Sequence, residues 1–211
     1  MGGIHVLGTG SYVPPKVLSN DDIVRMGVDT SDEWIVRRTG ISERRMAEPD
    51  VVTSDLALVA SQRALDMAGV RPEEIELIVM GTVTPDTCCP AGANCLQAKL
   101  GTANAVTFDV AAACSGFIFA LNVAEQYLKS GAVSTALVVA AEIMTRTIDW
   151  GDRSSAVFWG DGSGAAVLSS KREGHRMLSS HIHSDGAGGS NVLLPGGGSA
   201  TTPITSCPSV T

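Results

Sequence analysis

The chain has 211 residues, 44% of them hydrophobic, enough to bury a large core and to form one large domain or part of a bigger one. A formal net charge of -7 and a pI near 5.0 exclude a general binder of nucleic-acid phosphates, which relies on a basic face. The opening MGGIHVLGTGSYVPP has no basic n-region and no long apolar h-region, and no apolar run reaches about 18 residues, so a soluble cytoplasmic chain with no export signal and no membrane span is expected.

Apolar runs of strand length alternate with helical patterns, the layout of an α/β protein with a buried sheet. A first strand is predicted over 4–10, IHVLGTG. A helix follows over 54–69, where Leu56, Ala60, Ala64 and Met67 repeat on one face, with Ser54 as N-cap and Gly69 as stop. The β-branched run 75–83 is a strand, 91–101 a short helix, 105–114 a strand and 116–131 a second amphipathic helix ending at Gly131. Further strands are predicted over 135–144 and over 156–170, the latter interrupted by glycines that point to a bend or a close backbone approach. From residue 171 the text becomes rich in Gly, Ser, Thr and Pro and reads as a strand end leading into a long loop.

Two glycine motifs invite a nucleotide-binding reading. GTGSYV at 8–13 follows a strand, but Val13 stands where the third glycine of the dinucleotide fingerprint belongs, and Pro14-Pro15 occupy the start of the required helix. A tight turn is expected there, and GDGSGAA at 160–166 reads as a glycine-bent strand. The five cysteines (Cys88, Cys89, Cys95, Cys114 and Cys207) fit neither a disulfide framework nor a zinc site, and CCPAGANC reads as small residues near a helix start. His181 and His183 share one face of an extended segment but lack a third ligand, so both are read as structural and no metal is expected; none of the four histidines (His5, His175, His181 and His183) is an obvious base for Cys114.

Two places carry chemistry. In DVAAACSGFIFAL, 109–121, Cys114 falls between a strand and a helix, where unpaired N–H groups and the helix dipole favour thiolate and can stabilise an oxyanion. That is the setting of a nucleophile, while a buried inert cysteine is the competing reading. In TSDEWIVRRTGISERR, 30–45, Trp34 is either a core anchor, with Arg37, Arg38, Arg44 and Arg45 as a solvated face, or an exposed stacking platform with a cation beside it.

Four segments, GTGSYVP, TSDEWIVRRTGI, DVAAACSGF and GDGSGAAVL, occur together in an order and at a spacing that resemble the 3-oxoacyl-[acyl-carrier-protein] synthase III family of the thiolase-like superfamily. The resemblance covers nearly the whole chain. It implies a layered βαβαβαββ half of a duplicated α/β fold. It implies a homodimeric acyltransferase that initiates fatty-acid synthesis with acyl-CoA as substrate and no cofactor. Cys114 would take the acyl group, and decarboxylative condensation with malonyl-acyl carrier protein would follow. By the same resemblance Thr30, Trp34, Arg38 and Arg153 contact coenzyme A, with adenine stacked between Trp34 and Arg153. Cys89, Met144, Phe158 and Trp159 line the acyl pocket, Cys89 reaching it from the partner subunit. Family members often carry Phe at the Cys89 position, so a pocket for longer or more branched starters is expected, against which the bulk of Trp159 acts.

The family runs to roughly 310–330 residues, about two to three ordinary domain lengths. Its catalytic His and Asn lie beyond the last residue here, so the resemblance implies a chain limited to the N-terminal two-thirds, with 1–170 carrying the nucleophile and 171–211 leading toward a second half. Self-acylation is the most such a chain is expected to do, because the His and Asn polarise the malonyl thioester. Two alternatives stand beside this: a condensing enzyme of secondary metabolism from the same superfamily, and a non-catalytic truncated partner subunit that only binds acyl-CoA.

Overall fold

The computed structural model describes residues 3–194 and 196–198, so Cys207 and the rest of the stretch 199–211 lie outside the described residues. The chain divides into two units, Met1–Ser180 and His181–Thr211. In the first unit a strand, β1 (His5–Tyr12), leads into a small excursion made of β2 (Lys16–Ser19), α1 (Asn20–Arg25), α2 (Asp32–Thr39) and β3 (Glu43–Met46). Then come α3 (Thr53–Ala68), β4 (Leu77–Gly81), α4 (Gly92–Leu100), β5 (Val106–Val110), α5 (Gly116–Ser130), β6 (Thr135–Ile143), a single-turn α6 (Arg153–Ala156), β7 (Asp161–Ser169) and β8 (His175–Arg176). Apart from the excursion and α6, the succession through β7 is the expected βαβαβαββ, and β8 adds an edge.

The six strands order as β5-β4-β6-β7-β1-β8, with β4 parallel to both β5 and β6 and the remaining pairs antiparallel. β4 is flanked on both edges and covered on both faces, and all five of its residues are buried. Side chains alternate across the sheet. Ile78, Met80, Leu137 and Val139 pack with α3 and α4, while Leu77, Val79, Val138 and Leu168 pack with Ala120, Ala124 and Leu128 of α5. Among the described residues no helix is long and apolar enough to cross a membrane.

Four predictions about local structure change. GTGSYV forms no tight turn: it lies largely within β1, which runs past α3 at backbone distance. A Cβ on Gly8 would stand 2.5 Å from Ala68 N, and one on Gly10 would stand 2.2 Å from Ala60 O. The buried stripe of α3 is accordingly Leu56, Ala57, Ala60, Ala64 and Ala68, whereas Met67 is 66% exposed. Ser54 is not the N-cap, because the helix begins one residue earlier, with the Asp55 carboxylate accepting from Val52 N at 2.9 Å. The 156–170 strand starts only at Asp161, since Asp152 caps α6 by accepting from Ser154 N at 2.8 Å and so fixes a turn first. His181 and His183 lie in no strand.

Gly10→Ala is expected to destabilise the protein by about 2–4 kcal/mol, because β1 must move off α3. Gly101→Ala, at a left-handed helix end with open space around it, is expected to lose only about 1–2 kcal/mol. Urea unfolding of the two variants measures the difference.

Candidate functional site

β5 ends at Val110, four residues short of Cys114, and the chain then enters a 3-10 turn at Ala113–Ser115 that runs directly into α5. Ala113 has φ 46, in the left-handed region that costs a residue with a Cβ about 1–2 kcal/mol. Ser115 N donates to Ala112 O at 3.1 Å, and Gly116 N donates to Ala113 O. Cys114 therefore stands just ahead of α5 and not in its first turn, because the tightened backbone has already satisfied those two N–H groups. Its thiol is free and exposed, against the inert-core reading.

A backbone contact sets the position of this turn. A Cβ on Gly81, the last residue of β4, would lie 2.6 Å from Gly116 C and 2.8 Å from Gly116 O. One on Gly116 would meet only ordinary contacts, the nearest at 3.4 Å. The start of α5 can thus sit directly on the end of the sheet only because residue 81 lacks a side chain.

The second constellation comes together on the excursion after β1. Ser31 caps α2 by accepting from Trp34 N at 3.1 Å, which puts the indole in the first turn. The guanidinium carbon of Arg38 lies 5.7 Å from the Trp34 ring centroid, and that of Arg153, on α6, lies 4.8 Å from it. Arg153 Nη1 also donates to Asp29 O at 3.2 Å, next to Thr30, whose half-buried side chain has a buried Oγ1 that makes no hydrogen bond among the described residues. Trp34 is half-buried and is no core anchor; the anchor of α2 is the fully buried Ile35.

Arg44 departs from the expected solvated face. It is 5% exposed and donates to Leu18 O at 3.1 Å, Asn20 Oδ1 at 2.8 Å and Val157 O at 3.1 Å. Burial lowers its pKa, yet guanidinium remains charged at any ordinary pH. It thereby ties the Trp34-bearing excursion to the segment just before Phe158 and Trp159. Strand periodicity alone turns alternate residues of β3 inward; nothing in the local run of arginines singled out Arg44.

Four carboxylates near these strand ends were likewise missed. Glu142 accepts from Val83 N at 2.8 Å, Thr84 N at 3.0 Å, Thr82 Oγ1 at 3.2 Å and the Thr84 hydroxyl. Asp86 accepts from Ser54 N at 2.8 Å and Ser54 Oγ at 2.5 Å, and Asp109 from Gly92 N at 2.7 Å and Ala93 N at 2.8 Å. Asp161 accepts from Ala47 N, Thr145 N and Thr145 Oγ1 at 2.7, 3.0 and 2.7 Å. For Glu142, Asp109 and Asp161 an acid inside an apolar strand was the available signal, since acids are rarely buried unless satisfied, whereas Asp86, in the loop after β4, offered none. Glu142, Asp86 and Asp109 together anchor both ends of the loop that carries Cys88 and Cys89, both exposed. Cys95 is different: burial and then the nearby Asp86 push its thiol pKa up, so it stays protonated at neutral pH.

Met144 opens a short 3-10 turn after β6 and is half-buried, Phe158 is 48% exposed, and Trp159 is half-buried two residues before Asp161. No hydrogen bond or ring contact among the described residues joins Cys89 to these three. Among the described residues no group of three or more His, Cys, Asp or Glu is arranged to hold a metal ion.

A family model described as 3-oxoacyl-[acyl-carrier-protein] synthase III matches residues 108–186, the span that includes Cys114, Arg153 and Asp161. The chain is 48% identical over 194 residues to a beta-ketoacyl-[acyl-carrier-protein] synthase III of Caldanaerobacter subterraneus and 50% identical over 196 residues to that of Ehrlichia canis. Over nearly its whole length the chain is thus similar to the 3-oxoacyl-[acyl-carrier-protein] synthase III family. Each alignment takes in 92% of this chain but 58% and 61% of the two relatives, so the chain spans about three-fifths of their length. Among solved structures, the synthase III of Aquifex aeolicus superposes with TM-score 0.78 at 44% identity, covering 81% of this chain and 55% of that one. The priming beta-ketosynthase of the R1128 polyketide pathway superposes with TM-score 0.78 at 43% identity, covering 82% and 52%. The fold is thus the thiolase-like α/β architecture of the synthase III family.

Gly81→Ala is expected to displace the start of α5 and change the rate of Cys114 alkylation by iodoacetamide by about tenfold, with a stability loss of about 2 kcal/mol or more. Gly116→Ala is expected to leave both near the parent values. Peptide mapping of the alkylated protein and thermal unfolding measure the two effects.

Proposed function

We propose that the chain carries the acyl-accepting part of a beta-ketoacyl-acyl carrier protein synthase III. The observation that carries this reading is the exposed Cys114 thiol on a turn wedged against the sheet end at Gly81. In the proposed step the Cys114 thiolate attacks the carbonyl carbon of an acyl-CoA thioester. The tetrahedral oxyanion collapses, the bond to the coenzyme A sulfur breaks, and a proton restores its thiol. Condensation with malonyl-acyl carrier protein, releasing CO2, is the second half-reaction proposed for the whole protein.

Coenzyme A is proposed to enter at the corner formed by Thr30, Trp34, Arg38 and Arg153. Supporting this, Trp34 offers a partly exposed ring with two guanidinium groups within reach of its faces and of phosphates. For adenine to stack between Trp34 and Arg153, the 4.8 Å separation must open to about 7 Å, twice an ordinary contact distance. Cys89, Met144, Phe158 and Trp159 are proposed as the acyl-pocket residues, in a cytoplasmic homodimer where Cys89 serves the partner's pocket. The small Cys89 side chain supports starters longer than acetyl. A second reading, a priming synthase of secondary metabolism, is favoured by the R1128 enzyme superposing as well as the Aquifex protein does.

Incubation with acetyl-CoA and hexanoyl-CoA is expected to add one acyl mass on Cys114, and Cys114→Ala is expected to abolish it. A wild-type thiol that stays unmodified with every acyl-CoA overturns the reading and leaves a non-catalytic binder. Trp34→Ala is expected to weaken coenzyme A binding by about tenfold, the loss of one stacking partner at about 1–2 kcal/mol. Isothermal titration measures it. Products formed with malonyl-acyl carrier protein from short versus long starters distinguish the fatty-acid from the secondary-metabolite reading.

A further inference from the structure

We propose that Asp161 is a positioning residue that sets acyl-chain selectivity by holding the Met144 turn against the Phe158-Trp159 segment, an inference that rests on the acyl-pocket assignment above. Asp161 is 4% exposed and all three of its hydrogen-bond donors are neutral. One oxygen takes Thr145 N, while the other takes Ala47 N and Thr145 Oγ1. A single carboxylate therefore joins three separate pieces of chain: the end of the excursion at Ala47, the turn after β6 and the start of β7.

The two pocket segments lie immediately beside these bonds. Met144 adjoins Thr145, itself 3% exposed and held by both its amide and its hydroxyl. Trp159 stands two residues before Asp161, separated by Gly160, where a Cβ would come within 2.9 Å of Arg44 Cβ. The Trp159 side of the wall is thus fixed independently, by the Gly160 contact and by the bond from Arg44 to Val157 O. The Met144 side is joined to β7 by the Ile143–Asp161 strand pairing and by the Asp161 carboxylate, which also reaches Ala47, and to the loop after β3 by Arg146 Nη2, which donates to Glu48 O, Pro49 O and Val51 O at 2.7, 3.1 and 2.6 Å. Charge matters as well as shape, because an ionised carboxylate can accept from three donors at once, whereas an amide at the same place presents its own N–H groups to at least one of them. Loss of the carboxylate leaves a buried N–H or hydroxyl unpaired, and the Met144-Thr145 end of the turn, no longer tied to Asp161, shifts while the Arg146 bonds and the Ile143–Asp161 pairing hold its flanks.

A wall that recedes admits a longer acyl chain. Selectivity is therefore expected to move while the transfer chemistry at Cys114 and the Trp34 corner stay as they were. The experiment follows Cys114 acylation by acetyl-CoA and by hexanoyl-CoA, using intact mass, in the wild-type protein and in Asp161→Asn, Thr145→Val and Thr145→Ser. The expected result is a hexanoyl-to-acetyl ratio of second-order acylation rate constants raised about tenfold in Asp161→Asn and in Thr145→Val. Thr145→Ser keeps the hydroxyl and is expected to retain the wild-type ratio.

An equal fall with both acyl groups, or an unchanged ratio, overturns the positioning role. If Asp161→Asn does not fold, the Thr145 pair decides by the same ratio. A wild type that accepts neither acyl group removes the proposed function and this inference together. A wild type that is acylated, with the variants unshifted, removes the inference alone.

Discussion

The sheet and its helices meet through bare backbone at three places, and the rest of the molecule is arranged around those contacts. Gly8 and Gly10 bring β1 onto the Ala60–Ala64–Ala68 side of α3, and Gly81 brings the start of α5 onto the end of β4. A methyl group at any of them would lie within 2.7 Å of a backbone atom, a distance no packing adjustment absorbs without moving an element. Alanines on the helix and glycines on the strand thus answer one another. Because α5 begins at that contact, the turn holding Cys114 has no slack: its place is set by the sheet.

Carboxylates do at the strand ends what glycines do in the layers. Glu142, Asp86, Asp109 and Asp161 accept mainly from backbone N–H groups that lack regular partners, in loops and in the first turns of α3 and α4. Hydrogen bonds to a charged acceptor are each worth about 1.5–3 kcal/mol, more than a neutral pair, and they give irregular segments a defined shape. Arg44 performs the converse task with carbonyl acceptors, joining the Trp34-bearing excursion to Val157. Trp34, Arg38 and Arg153 consequently meet although Trp34 and Arg153 are far apart along the chain.

Much of the layering was legible in the primary structure. The runs 75–83, 91–101, 116–131 and 135–144 each contain the element predicted, because strong apolar periodicity and a following glycine or turn residue mark them locally. Two local signals misled. GTGSYV looked like a turn because glycines usually mark turns, but in β1 they mark proximity to α3. The segment 156–160 looked like strand by composition, but the Asp152 cap and the Arg44 anchor bend it first.

By itself the sequence determined the α/β alternation, the glycine ends of α3, α4 and α5, the resemblance to the synthase III family and the identity of Cys114 and Trp34 as residues to examine. These depend on local periodicity and on short motifs, which are properties of neighbouring residues. Only the tertiary structure decided that the Cys114 turn stands ahead of α5 with its thiol exposed, that Arg44 is buried while Arg38 is not, and that Arg153 lies over Trp34. It alone showed which loops Asp161 and Glu142 hold together. Those facts are long-range: they depend on which backbone passes within a few ångströms of another and on which buried donor finds an acceptor, and no stretch of neighbouring residues encodes either.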